Sequence, residues 1–494
     1  MDLKTKFNFI VKFICIHFYI MSFIKSEYSD GFFNVNGKNG FLPEQPPLEK
    51  LPLKYSNLQK LLDKMPVKLN EKSGFLDIPG KIKKVVETLP NYLEDVSKER
   101  DIRIIQALFR GYSFLASAFT LEPSFQHFRK TGKYGKANNI LPPQIAQPFV
   151  AVSNKLDVYP WLDYHYAYSL GNYKKIDKKK DHIWSNLEMC VRFSGQPDER
   201  GFIMLHVDIN QHSPSLVGSV INTLQSLKKN QKSKALDHLR ENYYTMKLMN
   251  KRRREMWKAS RWNHYNDFRV FIMGVKGNED LFGKGVTYQG VWKNPKQFRG
   301  QTGAQDDIIP MQDIFSGVIK HYPKNELTKY LLDLRSYRPK CIQNFFIDLE
   351  KSVETVDRAG VSGALEKQGN FNGLFYLLGI LEEIYHFRNG HWQFVQKYIM
   401  ANTKYAKATG GTPIISWLPN QMKAVMREMR SIIKIVDHSN KIFDPNFDNF
   451  YKKIKQTLNR KEKLLESQLE IVNKKVFSAD EVFELNKKFD LADN

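Results

Sequence analysis

The sequence predicts an all-α fold, and three observations carry that expectation. Apolar residues recur at three- and four-residue spacing along most of the chain, alternating strand patterns are scarce, and a hydrophobic fraction of 42% with 13% aromatics suffices to build buried cores. At 494 residues the chain exceeds what one core ordinarily serves, so a smaller N-terminal and a larger C-terminal helical domain are expected.

Residues 8–24 (NFIVKFICIHFYIMSFI) are hydrophobic but broken by Lys12 and His17, and no small-x-small cleavage site follows. Segment 1–37 therefore reads as a leader in preference to a signal or an anchor, with Met21 as an alternative start, and membrane association through 8–24 is not favoured. Residues 38–70 are proline-rich and extended. ERDIRIIQALFRGYSFLASAF (99–119) carries the spacing of an amphipathic helix that buries one face. The polar stretch NYKKIDKKKDHIWSN (172–186) reads as a linker, which sets a small helical domain at 38–185 and a large one at 186–440. Residues 441–494 read as a charged helical tail, an appendage and not part of a site.

The net charge of +24 raises nucleic acid or an anionic surface as a partner. Only KKIDKKK (174–180) and KRRR (251–254) form runs, and C-x-x-C pairs, RNP-type aromatics and a basic region leading into heptads are lacking. The charge reads as a solvated basic surface, without a nucleic-acid partner. Three scattered cysteines suit neither a disulfide framework nor structural zinc, and fit a reducing, cytoplasmic compartment.

IYHFRNGHWQFVQKYI (384–399) holds two histidines. Five residues correspond to about 140° of helical rotation, so the two rings point to different places. His391 shares a face with Ile384, Phe387, Arg388, Phe394, Val395 and Tyr398; His386 shares one with Glu382, Glu383, Asn389, Gln393 and Lys397. A lone imidazole among aromatics suits no zinc site. It suits a haem iron held from one side, but from this helix alone a core histidine satisfied by a backbone carbonyl is the favoured reading.

The order of motifs resembles the indoleamine 2,3-dioxygenase family: LPPQIAQPF (141–149), RGFIMLHV (200–207), FRVFIMGVKGN (268–278), GVWKNPKQFRGQTGAQ (290–305), HWQFVQKYI (391–399) and ATGGT (408–412). The resemblance implies haem b between two helical domains, with His391 as the ligand of an iron that is Fe(II) in the active state. It implies Arg388 paired with Asp313 behind the haem, O2 as cosubstrate, and L-tryptophan or a related indoleamine as substrate. Cleavage of the indole C2–C3 bond to N-formylkynurenine, the first step of tryptophan catabolism by the kynurenine pathway and a route to NAD, would follow. An electron donor would keep the iron ferrous, and the protein is expected to be a monomer.

On the substrate side the resemblance makes Arg269 the carboxylate clamp; from the residues alone, a rim arginine snorkelling to water is the better reading. Gly201, Phe202 and Tyr265 match the indole side. His206 stands where vertebrate members have serine, and it looks able to accept the indole N–H, as a distal histidine does in tryptophan 2,3-dioxygenases; a plain core histidine is the other reading. Thr302 and Gly303 match a loop over the haem edge, where Gln301, Asp306 and Asp307 depart from the family's small residues. Thr409 matches a lid that closes on substrate. A haem or gas sensor of the same fold, and a basic surface-binding protein, are the competing functions.

Overall fold

The computed structural model describes residues 23–324, 326–400, 414–439 and 441–473. Helix dominates at 64%, and the strands of the described residues form only two-stranded pairs, so the fold is all-α.

The central element of the N-terminal half is α1 (Ile102–Thr131). Asp101 starts it by accepting from the backbone N–H groups of Arg103 and Ile104, and Gly132, at φ 70°, ends it in the left-handed region. Every residue from Ile105 to Glu122 is buried, whereas the sequence pattern suggested one buried face. The reason is packing on several sides: α2 (Pro143–Leu156), the turn at Tyr164–Tyr168 and the turn at Val270–Ile272 all rest on α1. This helix is long and apolar enough to cross a membrane, yet 94% of its most apolar window lies inside the protein, where it serves as core.

The expected linker at 172–186 is instead largely a hairpin. Tyr173–Lys175 pairs antiparallel with Leu187–Met189, and Asn172 ties the base by exchanging hydrogen bonds of 2.8 and 2.9 Å with the backbone of Val191. One cluster of buried side chains runs from Ile24 to Leu465 without interruption at this point.

The C-terminal half is built from α3 (Pro197–Asn210), α4 (Ser213–Lys228), α5 (Lys232–Arg253), α6 (Ile308–Ser316), α7 (Lys340–Val356), α8 (Phe371–Phe394), α9 (Ile414–His438) and α10 (Pro445–Asn473). In it α4 packs on α5, α5 on α8, and α8 on α9. Helix α8 starts where the Asn370 side chain accepts from the Gly373 N–H, and it continues past Phe394 as a wider π-type turn at Val395–Met400.

The tail is not an appendage. Tyr451, Ile454, Leu458 and Leu465 lie three, four and seven residues apart and enter the core as one face of α10. Lys461, whose side chain is 1% exposed, lies 2.8 Å from Glu382, and the Trp392 indole N–H donates to Gln468 at 2.9 Å. The tail thus grips α8 beside His391. Replacing Lys461 by Ala should cost about 2 kcal/mol or more in chemical denaturation, because it strands the partly buried Glu382 carboxylate. Lys452→Ala, which breaks the exposed pair with Asp448, should cost under about 1 kcal/mol.

Candidate functional site

Two adjoining cavities meet at His391, and Gly303, Asp306, Phe387 and Leu418 are also common to both walls. Their unfilled space, mouths included, is about 820 and 1140 Å³, the scale of a cofactor cleft. The His391 ring has no hydrogen-bond partner among the described residues. Burial, followed by the positive field of Arg253, pushes its pKa down to about 4. The imidazole is therefore neutral at neutral pH and its lone pair is uncommitted. His386 points elsewhere, 3.8 Å from Glu382 and partly exposed. Its expected wet face is only partly wet: Asn389 and Gln393 are buried, and Asn250 of α5 donates to Glu383 at 2.9 Å.

Behind His391, the first cavity holds a buried ion pair. Arg388 donates to Asp313, to Gln421 at 2.6 Å and to the Tyr322 hydroxyl at 3.2 Å, while that hydroxyl donates to Asp313 at 2.5 Å. Arg388 Nη1 and Asp313 Oδ1 remain without a partner, and both residues are on the cavity wall. The structure thus brings His391, Arg388 and Asp313 together.

The second cavity is mainly apolar, with Phe202, Tyr265, Ile272 and Phe394 among its walls. His206, on α3, faces it. Its Nδ1 lies 3.0 Å from the Phe202 carbonyl, and burial lowers its pKa, so the neutral ring is assigned its proton on Nδ1. That leaves Nε2 as an acceptor on the Gly303 side, where a Cβ added to Gly303 would come within 3.9 Å. Thr302 and Gly303 reach the wall through a capping box: the Thr302 side chain accepts from Ala304 N–H, and the Thr302 N–H donates to Gln305. The loop gets this close because Gly274 and Gly300 cross backbone to backbone, with room for no Cβ at either.

Three expected site residues stand differently. Arg269 is wholly buried but is on neither cavity wall; Tyr134 and Tyr265 hydrogen-bond it. Gly201 is no wall residue either, because its Cα packs on the Ala259 carbonyl, where a Cβ would sit 1.6 Å away. It lets α3 press against the turn at Met256–Ala259. Thr409 lies outside the described residues.

One charged wall residue escaped the sequence reading. Arg253 belongs to the KRRR run yet is 2% exposed and lines the second cavity. Leu239, Asn242, Met246, Met249 and Arg253 form a stripe at alternating three- and four-residue spacing, all buried, and that stripe was the available signal. Asp306, which the sequence marks as a departure from the family's small residues, stands on both walls. Its Oδ2 accepts from Tyr164 at 2.6 Å and Asn210 at 2.7 Å, and its Oδ1 from the Ile308 N–H at 3.1 Å.

Among the described residues no three His, Cys, Asp or Glu side chains converge on a metal site. One uncommitted neutral imidazole over a largely apolar slot, with unpartnered polar atoms beside it, fits a haem held by a single axial histidine. The His391 shift also sets a pH dependence of the apo-protein. Between about pH 6.5 and 4 the unfolded chain binds a proton that the folded chain refuses, so stability falls as pH drops through that window. Urea unfolding at pH 7 and pH 5 should show this loss, and His391→Leu should make the slope shallower.

A family model described as indoleamine 2,3-dioxygenase matches residues 30–432. Indoleamine 2,3-dioxygenase 1 of Rattus norvegicus is 27% identical over 318 residues, covering 62% of this chain and 70% of its own length. Indoleamine 2,3-dioxygenase 2 of Homo sapiens is 28% identical over 277 residues, covering 56% and 64% respectively. The 6-hydroxytryptophan 2,3-dioxygenase fscD of Fusarium equiseti is 22% identical over 379 residues, covering 74% and 84%. The family is haem-dependent and uses O2. With its helical fold and its motifs in order, this chain belongs to the indoleamine 2,3-dioxygenase family and is an oxidoreductase of that type.

Proposed function

We propose that this protein cleaves the indole C2–C3 bond of L-tryptophan with O2, giving N-formylkynurenine, and that it does so as a cytoplasmic monomer served by a separate electron donor. The observation that carries this reading is the pairing of an uncommitted imidazole, His391, with the acceptor nitrogen of His206 on the wall of one cavity. Bound haem supplies the redox chemistry with O2 that amino-acid side chains lack.

His391 would hold the cofactor, and the Arg388–Asp313 pair would brace the helix that carries it. His206 Nε2 would accept the indole N–H and orient the ring without deprotonating it, because both oxygen atoms end in the product. Arg269 would clamp the substrate carboxylate, with Thr302 and Gly303 near the ammonium. Phe202, Ile272 and Phe394 exclude water around the reacting bond. Positioning of this kind supplies the proximity that the chemistry requires.

The test reconstitutes the full chain with haemin, reduces it anaerobically, adds L-tryptophan and O2, and follows N-formylkynurenine absorbance. Bound ferrous haem with no product at any tryptophan concentration would defeat the proposal. His391→Ala should abolish the Soret band of stably bound haem and His386→Ala should keep it. Arg269→Ala should weaken tryptophan binding about tenfold or more, the loss expected for a charged hydrogen-bond partner, while sparing the haem spectrum.

A further inference from the structure

The lysine run KKIDKKK (174–180) plays no part in the site at His391, yet it borders a cleft of its own. That cleft shares no wall residue with the two cavities, and its unfilled space, mouth included, is about 1040 Å³. Its walls come from three parts of the chain: the proline segment 46–49, Arg103 in the first turn of α1, and the hairpin with its turn at 173–182.

Two arginines seven residues apart, and so on one face of α1, hold these parts together. Arg103 Nη2 donates to the Pro46 carbonyl at 2.9 Å. Arg110 donates from Nη2 to the Leu48 carbonyl at 2.5 Å and from Nη1 to the Gly171 carbonyl at 2.8 Å. One guanidinium thus ties the proline segment to the base of the hairpin. Arg110 is itself buried, so the cleft is braced from the core.

The walls set Arg103, Lys174, Lys175 and Lys178 against a single carboxylate, Glu49. Four to one far exceeds the 76 to 52 of the whole chain, so overall basicity does not account for it. Glu49 lies 3.9 Å from Lys174, and among the described residues Arg103, Lys175 and Lys178 make no ion pair. Arg103 Nε is also without a hydrogen-bond partner. The charge is felt within the cleft: burial, followed by Lys175, pushes the His182 pKa down to about 4, and this neutral ring stands edge-on to Tyr173 at 5.3 Å. Like charges gathered in this way repel one another, and a bound anion relieves the repulsion.

We infer that this cleft binds a small anion carrying a diphosphate group. Its cations are presented from a helix and from two points of a hairpin, which suits two linked anionic centres better than one. A planar guanidinium can take two oxygens of one phosphate while lysine ammoniums act as point charges on the other. Each phosphate group brings up to about two negative charges, where a carboxylate brings one. Free pyrophosphate and a nucleoside diphosphate share this chemistry, and the cleft is of a size for either.

The experiment titrates the full chain, before and after loading with haemin, with pyrophosphate, ADP, adenosine and sulfate by calorimetry in magnesium-free buffer of fixed ionic strength. Pyrophosphate should bind about tenfold tighter than sulfate, and equally with and without haemin. Lys175→Gln combined with Lys178→Gln should weaken pyrophosphate binding about tenfold or more, as the loss of two charged partners requires. Neither side chain makes a hydrogen bond or ion pair among the described residues, so circular dichroism and the Soret band should be unchanged. Lys229→Gln combined with Lys234→Gln, two exposed lysines outside the cleft, should alter the affinity by about twofold or less. ADP displacing pyrophosphate, with adenosine inert, would support the inference and make a nucleotide the source. Pyrophosphate binding that ADP leaves undisturbed would support it with the free anion as the source. Equal affinities for pyrophosphate and sulfate, or equal weakening by the two double variants, would overturn it by assigning the effect to diffuse surface charge. Absence of pyrophosphate binding would overturn it outright and leave the tryptophan reading untouched.

Discussion

A neutral imidazole must be held on a cavity wall without spending its lone pair on the protein, and much of the C-terminal half serves that constraint. Histidines in a protein interior usually satisfy their ring nitrogens locally. His391 does not, and its neighbours are arranged so that it need not. The ring is kept neutral by burial and by the field of Arg253. Its helix is pinned by the Arg388–Asp313 pair and by Lys461–Glu382 and Trp392–Gln468 from α10. Pinning at several points along the helix matters because a small rotation of α8 would carry the ring off the seam between the two cavities. The C-terminal helix thus belongs to the same mechanical unit as the site, although none of its residues lines either cavity.

The arrangement of polar groups separates the two cavities chemically. The first holds a guanidinium and a carboxylate in contact, Arg388 and Asp313, on a wall that is otherwise largely apolar and also carries Asp306, Arg335 and Arg338. A buried pair of this sort contributes little net stability against an apolar replacement, but breaking it leaves a charge stranded. Its value here lies in orientation: Arg388 is three residues from His391 on the same helix, and a bidentate-capable group fixes a helix face better than an apolar contact does. The second cavity is mainly apolar with a few polar groups, His206 among them, which suits an aromatic ring that needs one acceptor at its N–H.

How far the sequence reached follows from what periodicity encodes. The face of α8 was legible because helical spacing alone sets the angle between His386 and His391. The wet side of that helix is only partly wet, since spacing says nothing of the neighbouring helices that pack on α8 and leave Asn389 and Gln393 buried. The burial of α1 on all sides was hidden for the same reason: its polar residues, Gln106 and Arg110, pair with backbone carbonyls of a distant turn and do not face water. Gly201 matched a family motif, but its role is a backbone crossing, which only tertiary contact reveals. Arg253 was masked by its charged neighbours in KRRR, although the stripe leading to it was already written in α5. The hairpin at 173–189 was hidden by lysines that are polar and still compatible with a short strand pair.

Asp306 and Asp307 show how two adjacent carboxylates can both be buried. Side by side in the interior they would repel strongly, so a stable structure must turn them apart and satisfy them differently. Asp307 turns inward, where Arg338 donates to it at 2.6 Å and the His165 ring nitrogen lies 2.7 Å away, and its charge is neutralised within the protein. Asp306 turns to the cavity and receives only neutral donors. Such donors stabilise a carboxylate while leaving its charge in place, so the wall retains a directed negative potential where the family's usual small residues would leave none. With one charge compensated inside and its neighbour facing the ligand space, the loop after Gly303 becomes a polar end-wall for a cavity that is otherwise aromatic and aliphatic.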